Sequence, residues 1–138
     1  MRDVAVGGRG LALPAATVRR VVRGVLDGEH SDAELSITFL GAETMRRLNR
    51  RYKGRDEPTD VIAFTLDTPD HRTVGDVYVC AAVAARQARR HGVTRRQELI
   101  RLVVHGVLHV LGHDHPASEA RLRSAMWRRQ ERYVERLA

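Results

Sequence analysis

Residues 95–115, RRQELIRLVVHGVLHVLGHDH, decide how this chain folds and what chemistry it can support. Arg95 to Leu111 is long and mostly apolar, the pattern of a core helix. Gly112 stands where a left-handed residue would end it. Positions four apart on a helix differ by about 40° in direction, so His105 and His109 share one face, a turn apart. At that spacing two imidazoles reach one ion. Gly112 lets the backbone turn back, and His115 then enters from the loop as a third ligand. Three neutral nitrogens leave the fourth tetrahedral position open to water, as catalytic rather than structural zinc sites do. One zinc ion held this way lowers the pKa of water to near neutrality and supplies a hydroxide nucleophile.

The spacing H-x3-H-x2-G-x2-H matches the ligand spacing of the metzincin motif at all three histidines and at the glycine. The glutamate that serves those proteases as general base is Gly106 here, which discounts a metallopeptidase. Four of the seven histidines fall in this segment, on a helix that is otherwise apolar. Burying unpaired imidazoles there is costly, and a metal supplies the partner. His30, His71 and His91 read as ordinary surface or core residues. His113 reads as a loop residue near the site, and Asp114 as either a partner orienting a histidine or a turn residue.

Working outward, Val4 to Val6 reads as a short strand ending at Gly7 and Gly8. Pro14 opens a helix with Val18, Val21, Val22, Val25 and Leu26 at helical spacing, closed by Gly28. Glu34 to Leu40 alternates as a strand, and Gly41 to Arg51 reads as a helix. Tyr52 to Thr59 is rich in turn residues and reads as a polar loop. Strands follow at Asp60 to Phe64 and Gly75 to Val79, with a loop at Thr65 to Thr73 between them. Ala81 to Arg90 is an alanine-rich helix ended by Gly92. Pro116 and Ser118 introduce a last helix running towards Leu137. Strands and helices mix without regular βαβ alternation, so the expected class is α+β. With no linker or repeat, residues 1–138 form one domain.

Composition excludes several classes. No stretch approaches the roughly 20 apolar residues of a membrane span. The N-terminal segment lacks the apolar core of a secretory signal. Cys80 is the only cysteine, so no intrachain disulfide can form, in keeping with a reducing, cytoplasmic setting. Lys and Arg number 24 against 17 acidic residues, a net charge of +7, and Lys53 is the sole lysine. Guanidinium groups bind phosphate through paired donors, which suits nucleic acid.

Leu48-Asn49, Tyr52, Pro58-Thr59-Asp60-Val61, Phe64, Gly75-Asp76 and the segment His105 to His115 occur together and in order. Over roughly residues 35 to 116 the chain thereby resembles the YbeY-type endoribonucleases of bacteria. The resemblance implies a zinc-dependent, single-strand-specific endoribonuclease. It would act in ribosomal RNA processing at the 3′ end of the small-subunit 16S RNA, and in ribosome quality control. Its partners would be single-stranded RNA and the ribosomal small subunit. It also implies a metal cleft beside a small mixed sheet.

Two positions depart from that pattern. The arginine that usually follows the tyrosine, and is thought to serve the phosphate, is Lys53 here; Arg55, two residues on, is the other candidate. Ala63-Phe64-Thr65 stands in place of Ser-Phe-Pro. Lys53 or Arg55 would stabilise charge developing on the phosphate, and Asp76 is a candidate near the metal or else a turn residue. The general base is unassigned. Arginines of the helix from Gly41, with Arg86, Arg89 and Arg90, are candidates for guiding RNA. Aromatic residues are few, so recognition would lean on phosphate contacts. The competing reading is a non-catalytic RNA-binding ribosome-assembly factor with a zinc site.

Overall fold

The strand that organises the sheet is β2 (Glu34–Leu40), whose Leu35, Ile37 and Phe39 are buried while the residues between them are half-buried. In a computed structural model, residues 3–8, 10, 12–66, 68–70, 72–113 and 124–138 are described. β2 pairs in parallel with β1 (Val4–Gly8) on one side and with β4 (Val74–Cys80) on the other. β4 pairs antiparallel with β3 (Val61–Leu66), giving the order β1-β2-β4-β3. The sheet is mixed, as expected, and β3 is an edge.

The crossover from β1 to β2 is α1 (Ala15–Gly28), preceded by Pro14. Its five expected apolar positions, Val18, Val21, Val22, Val25 and Leu26, are fully buried. That single βαβ unit, with its parallel partner strands, was not separately legible in the alternation of elements. α2 (Ala42–Lys53) covers the opposite face of the sheet. Its Met45 and Leu48 join Ile62, Phe64, Tyr78 and Cys80 in a second, smaller core. α3 (Ala81–His91) follows β4 directly, and α4 (Arg95–Val110) packs against α1, α3, β3, β4 and α5 (Ala125–Leu137). α4 is therefore the centre of the main core.

Element boundaries differ from the sequence reading in one place that matters. α2 does not stop at Arg51 but runs through Tyr52 to Lys53. Gly54, at φ 71°, supplies the left-handed residue that ends it. The polar loop therefore begins only after Lys53. α4 ends where Gly112 predicted, with φ 97° at that glycine. α5 begins at Ala125, its first turn capped by the Ser124 side chain accepting from the Trp127 amide at 3.1 Å. The start expected at Pro116 and Ser118 lies outside the described residues. Among the described residues no helix is long and apolar enough to cross a membrane, and Cys80 is buried as a free thiol.

Candidate functional site

The site begins with how closely α4 approaches the sheet. A Cβ added to Gly106 would stand 2.4 Å from Val77 Cγ1, and one added to Gly75 would stand 2.5 Å from Val110 Cγ1. These two bare positions, one on α4 and one on β4, each receive a valine side chain of the other element, which lets helix and strand pack closely. Position 106 is thus buried against the sheet, and the glutamate of the protease motif would have no room there. His105 and His109 lie one residue before Gly106 and Val110, about 100° round the helix. They leave the sheet-facing side and open past the edge strand β3.

The two imidazoles stand with ring centroids 4.6 Å apart and planes inclined by 63°. Both are half-buried. They border two cavities. A narrow one of about 110 Å³ is lined by Lys53, Val61, Ile62, Ala63 and both histidines. A wider one of about 630 Å³ includes Asp60, Gln87, Leu102, Trp127 and both histidines in its wall. Among the described residues no third histidine, cysteine or acidic side chain completes a three-ligand cluster. His115 and Asp114 lie outside the described residues.

Lys53 lines the narrow cavity together with both histidines. Because it is the last residue of α2, its backbone is held by the helix rather than by a loop. Arg55 is exposed and lines neither histidine cavity. Asp76 is not brought to the site. Successive strand residues point to opposite faces, and Gly75 and Val77 meet α4, so Asp76 shares the other face with Tyr78. There its charge, after burial, pushes the Tyr78 phenol upward. It lines a separate cavity with Glu34 and Ser36, on the far side of the sheet from the histidines.

Besides Glu98 and Glu131, the wider histidine cavity is faced by Asp60, which the sequence offered as the start of a strand and as part of a family match. Its Oδ1 accepts from the Val61 amide at 2.8 Å, and its Oδ2 accepts from Gln87 Nε2 at 3.2 Å. Asn49, buried at the core end of α2, donates to the Glu57 carbonyl at 2.8 Å and so fixes the segment leading into Asp60. The signal for both was present in the Leu48-Asn49 and Pro58-Thr59-Asp60-Val61 matches. The pairing of Asp60 with a residue 27 positions away was not.

Arg46, one of the arginines considered for RNA guidance, is ion-paired with Glu43 at 2.6 Å and with Asp56. It braces the loop after α2 instead. His113 is turned away from the cleft: its Nε2 meets Glu29 Oε1 at 2.6 Å. Glu29 also accepts from Tyr133 Oη at 2.5 Å and Arg129 at 2.9 Å. Burial would raise the Glu29 carboxyl, but these three donors outweigh it and hold it below the usual carboxylate range. The turn after α4 is thereby anchored to both α1 and α5.

A second polar cluster flanks His105. Its Nδ1 lies 2.6 Å from Gln130 Oε1. Gln130 Nε2 donates to Glu131 Oε2 at 3.0 Å, and Arg101 bonds both Glu131 oxygens and Glu98. Burial would lower the Arg101 guanidinium, yet the two carboxylates outweigh that and raise it. Glu98 and Gln130 are almost fully buried, and no buried side-chain nitrogen or oxygen among the described residues lacks a partner. A buried polar network of this completeness is rigid.

Fold and cleft together define the class, an α+β protein whose polar cleft is built on a histidine-bearing helix at the edge of a mixed sheet. The family profile described as Endoribonuclease YbeY matches residues 11–138. An Endoribonuclease YbeY from Persephonella marina is 39% identical over 107 residues, covering 74% of this chain and 70% of that one. One from Bordetella pertussis is 42% identical over 123 residues, covering 83% and 78%. Some relatives align over less of their length, such as 60% of the Staphylococcus carnosus protein. The solution structure of TM1509 from Thermotoga maritima superimposes with a TM-score of 0.68 at 28% identity, covering 97% of this chain and 88% of that one. The chain belongs to the endoribonuclease YbeY family. Its relatives are named as endoribonucleases, enzymes that hydrolyse phosphodiester bonds.

Proposed function

We propose that this chain is a zinc-dependent endoribonuclease that cleaves single-stranded RNA by phosphodiester hydrolysis. Its substrate in the cytoplasm would be ribosomal RNA of the small subunit, at 3′-end maturation of the 16S RNA and in ribosome quality control. The observation that carries this reading is the pair His105 and His109, opening onto one cavity with Asp60 and another with Lys53. The donor set fits zinc. Two imidazoles project from one helix face onto the same two cavities, and Gln130 meets His105 at Nδ1. His105 and His109 would hold the ion, with His115 as the expected third ligand. When bound, zinc supplies Lewis acidity, lowering the pKa of water and polarising a phosphoryl oxygen.

The remaining work falls to this chain's own side chains. Lys53, fixed at the end of α2, offers an ammonium to a phosphate oxygen as negative charge builds there. Asp60, steadied by Gln87 and the Val61 amide, lines the wider cavity and is the carboxylate we assign to accept a proton from the attacking water. The cavity of about 630 Å³ is large enough for a nucleotide unit, a size typical of small-molecule sites. The net charge of +7 draws the RNA backbone towards it.

The test uses zinc-loaded protein with single-stranded RNA, double-stranded RNA and a peptide mixture. His109→Ala is expected to lose zinc and RNA cleavage together. Cleavage persisting in that variant would mean a contaminating nuclease, and the proposal would fail. Zinc and RNA binding without any cleavage would instead support the assembly-factor reading. Lys53→Ala should lower kcat/KM by about 100-fold, in the range seen when one charge-stabilising donor is removed. Arg55→Ala should change it little.

A further inference from the structure

The cluster beside His105 has a direction that its chemistry imposes. Arg101 can only donate, and it engages both oxygens of Glu131. Glu131, ionised in that pair, can only accept. Its contact with Gln130 at 3.0 Å must therefore come from the amide NH2. The amide oxygen is left facing His105 Nδ1 at 2.6 Å, and an amide oxygen cannot donate. The proton must sit on Nδ1. The reverse orientation would press the amide oxygen against the Glu131 carboxylate. Gln130 is only 2% exposed, so no bulk water stands by to satisfy a flipped amide.

A neutral imidazole carries one ring proton. With that proton on Nδ1, the lone pair is on Nε2, the nitrogen on the far side of the ring from Gln130. We propose that Gln130, oriented by the Arg101–Glu131 pair, is a positioning residue that sets the tautomer of His105 and presents Nε2 as its electron-pair donor. The inference rests on His105 being a ligand, as argued above. It assigns a role to α5, 25 residues away in sequence, that the H-x3-H spacing does not contain. Partners of this kind typically contribute about 10–100-fold to metal affinity.

The test begins with the full-length protein free of metal, read by long-range proton–nitrogen NMR of the histidine rings. The expected result is a protonated, pyrrole-type Nδ1 and a pyridine-type Nε2 for His105. In Gln130→Met, which keeps volume but removes the acceptor, the ring should revert to a mixture dominated by the Nε2–H form. Zinc affinity, measured by competition with a chromophoric chelator, should fall by about 10–100-fold. Gln130→Glu can share a proton with Glu131 and still turn an oxygen to His105, so it should retain the native tautomer and most of the affinity. Glu131→Gln removes the fixed polarity of the chain and should give a mixed tautomer in a folded protein.

A pyridine-type Nδ1 in the native protein would overturn the proposal. So would unchanged zinc affinity in folded Gln130→Met. If the native tautomer is as expected but no zinc binds, the zinc reading fails while the role of Gln130 in setting the ring stands.

Discussion

At Glu29, just beyond the end of α1, one carboxylate accepts hydrogen bonds from His113, Arg129 and Tyr133. Its carboxyl lies below the ordinary 4.5 in the folded protein, so the unfolded chain takes up this proton more readily. The stabilisation is present above about pH 4.5 and is lost as the pH falls through the lower folded value. Glu29→Gln should cost about 1–3 kcal/mol at neutral pH, by leaving charged and hydroxyl donors poorly matched. Urea unfolding across a pH series should show the gap between variant and native protein closing in acid. Tyr133 behaves in the opposite sense. Burial, then its bond to Glu29, pushes the phenol up to about 12. Its contribution is present below about pH 10 and disappears as the pH rises through 12. Gly106 supplies a second test. Gly106→Ala forces a methyl into Val77 and should lower stability by about 1–3 kcal/mol in thermal unfolding. By shifting the helix that carries both histidines, it should also weaken zinc binding.

At the scale of the element, α4 starts at a sharply defined first turn. Thr94 and Gln97 form a reciprocal capping box: the Thr94 hydroxyl accepts from the Gln97 amide at 3.0 Å, and the Gln97 side chain accepts from the Thr94 amide at 3.0 Å. Thr94→Ala should cost about 1 kcal/mol and lower the melting temperature by roughly 2–5 °C. Zinc affinity should be unchanged, because the cap lies more than two helical turns before His105. α2 shows the same coupling of local geometry to the site. Its extension to Gly54 places Lys53 on a helix terminus beside the edge strand, and the Tyr52 ring packs on Phe64 at 5.0 Å.

Across the whole molecule, a net charge of +7 from arginines and one lysine, with few aromatic rings, makes phosphate contact the main source of RNA affinity. For a footprint of about four phosphates, binding should weaken roughly 50-fold between 50 and 200 mM monovalent salt. Filter binding to a short single-stranded RNA at several salt concentrations would measure the slope. A nearly flat response would show that stacking and direct base contacts dominate instead. The histidine pair, the turn at Gly112 and the apolar face of α1 were all legible in the sequence. Each follows from periodicity within one element or from a residue whose backbone preference is strong. The tertiary structure alone decided that Asp76 faces away while Asp60 faces in, because strand register sets which side a residue takes. It alone showed Lys53 rather than Arg55 beside the histidines, since that depends on where α2 ends against β3. It also brought Gln130 to His105 and Glu29 to His113. These contacts join residues 25 and 84 positions apart, and distances of that kind exist only once helices from separate parts of the chain have packed on one core.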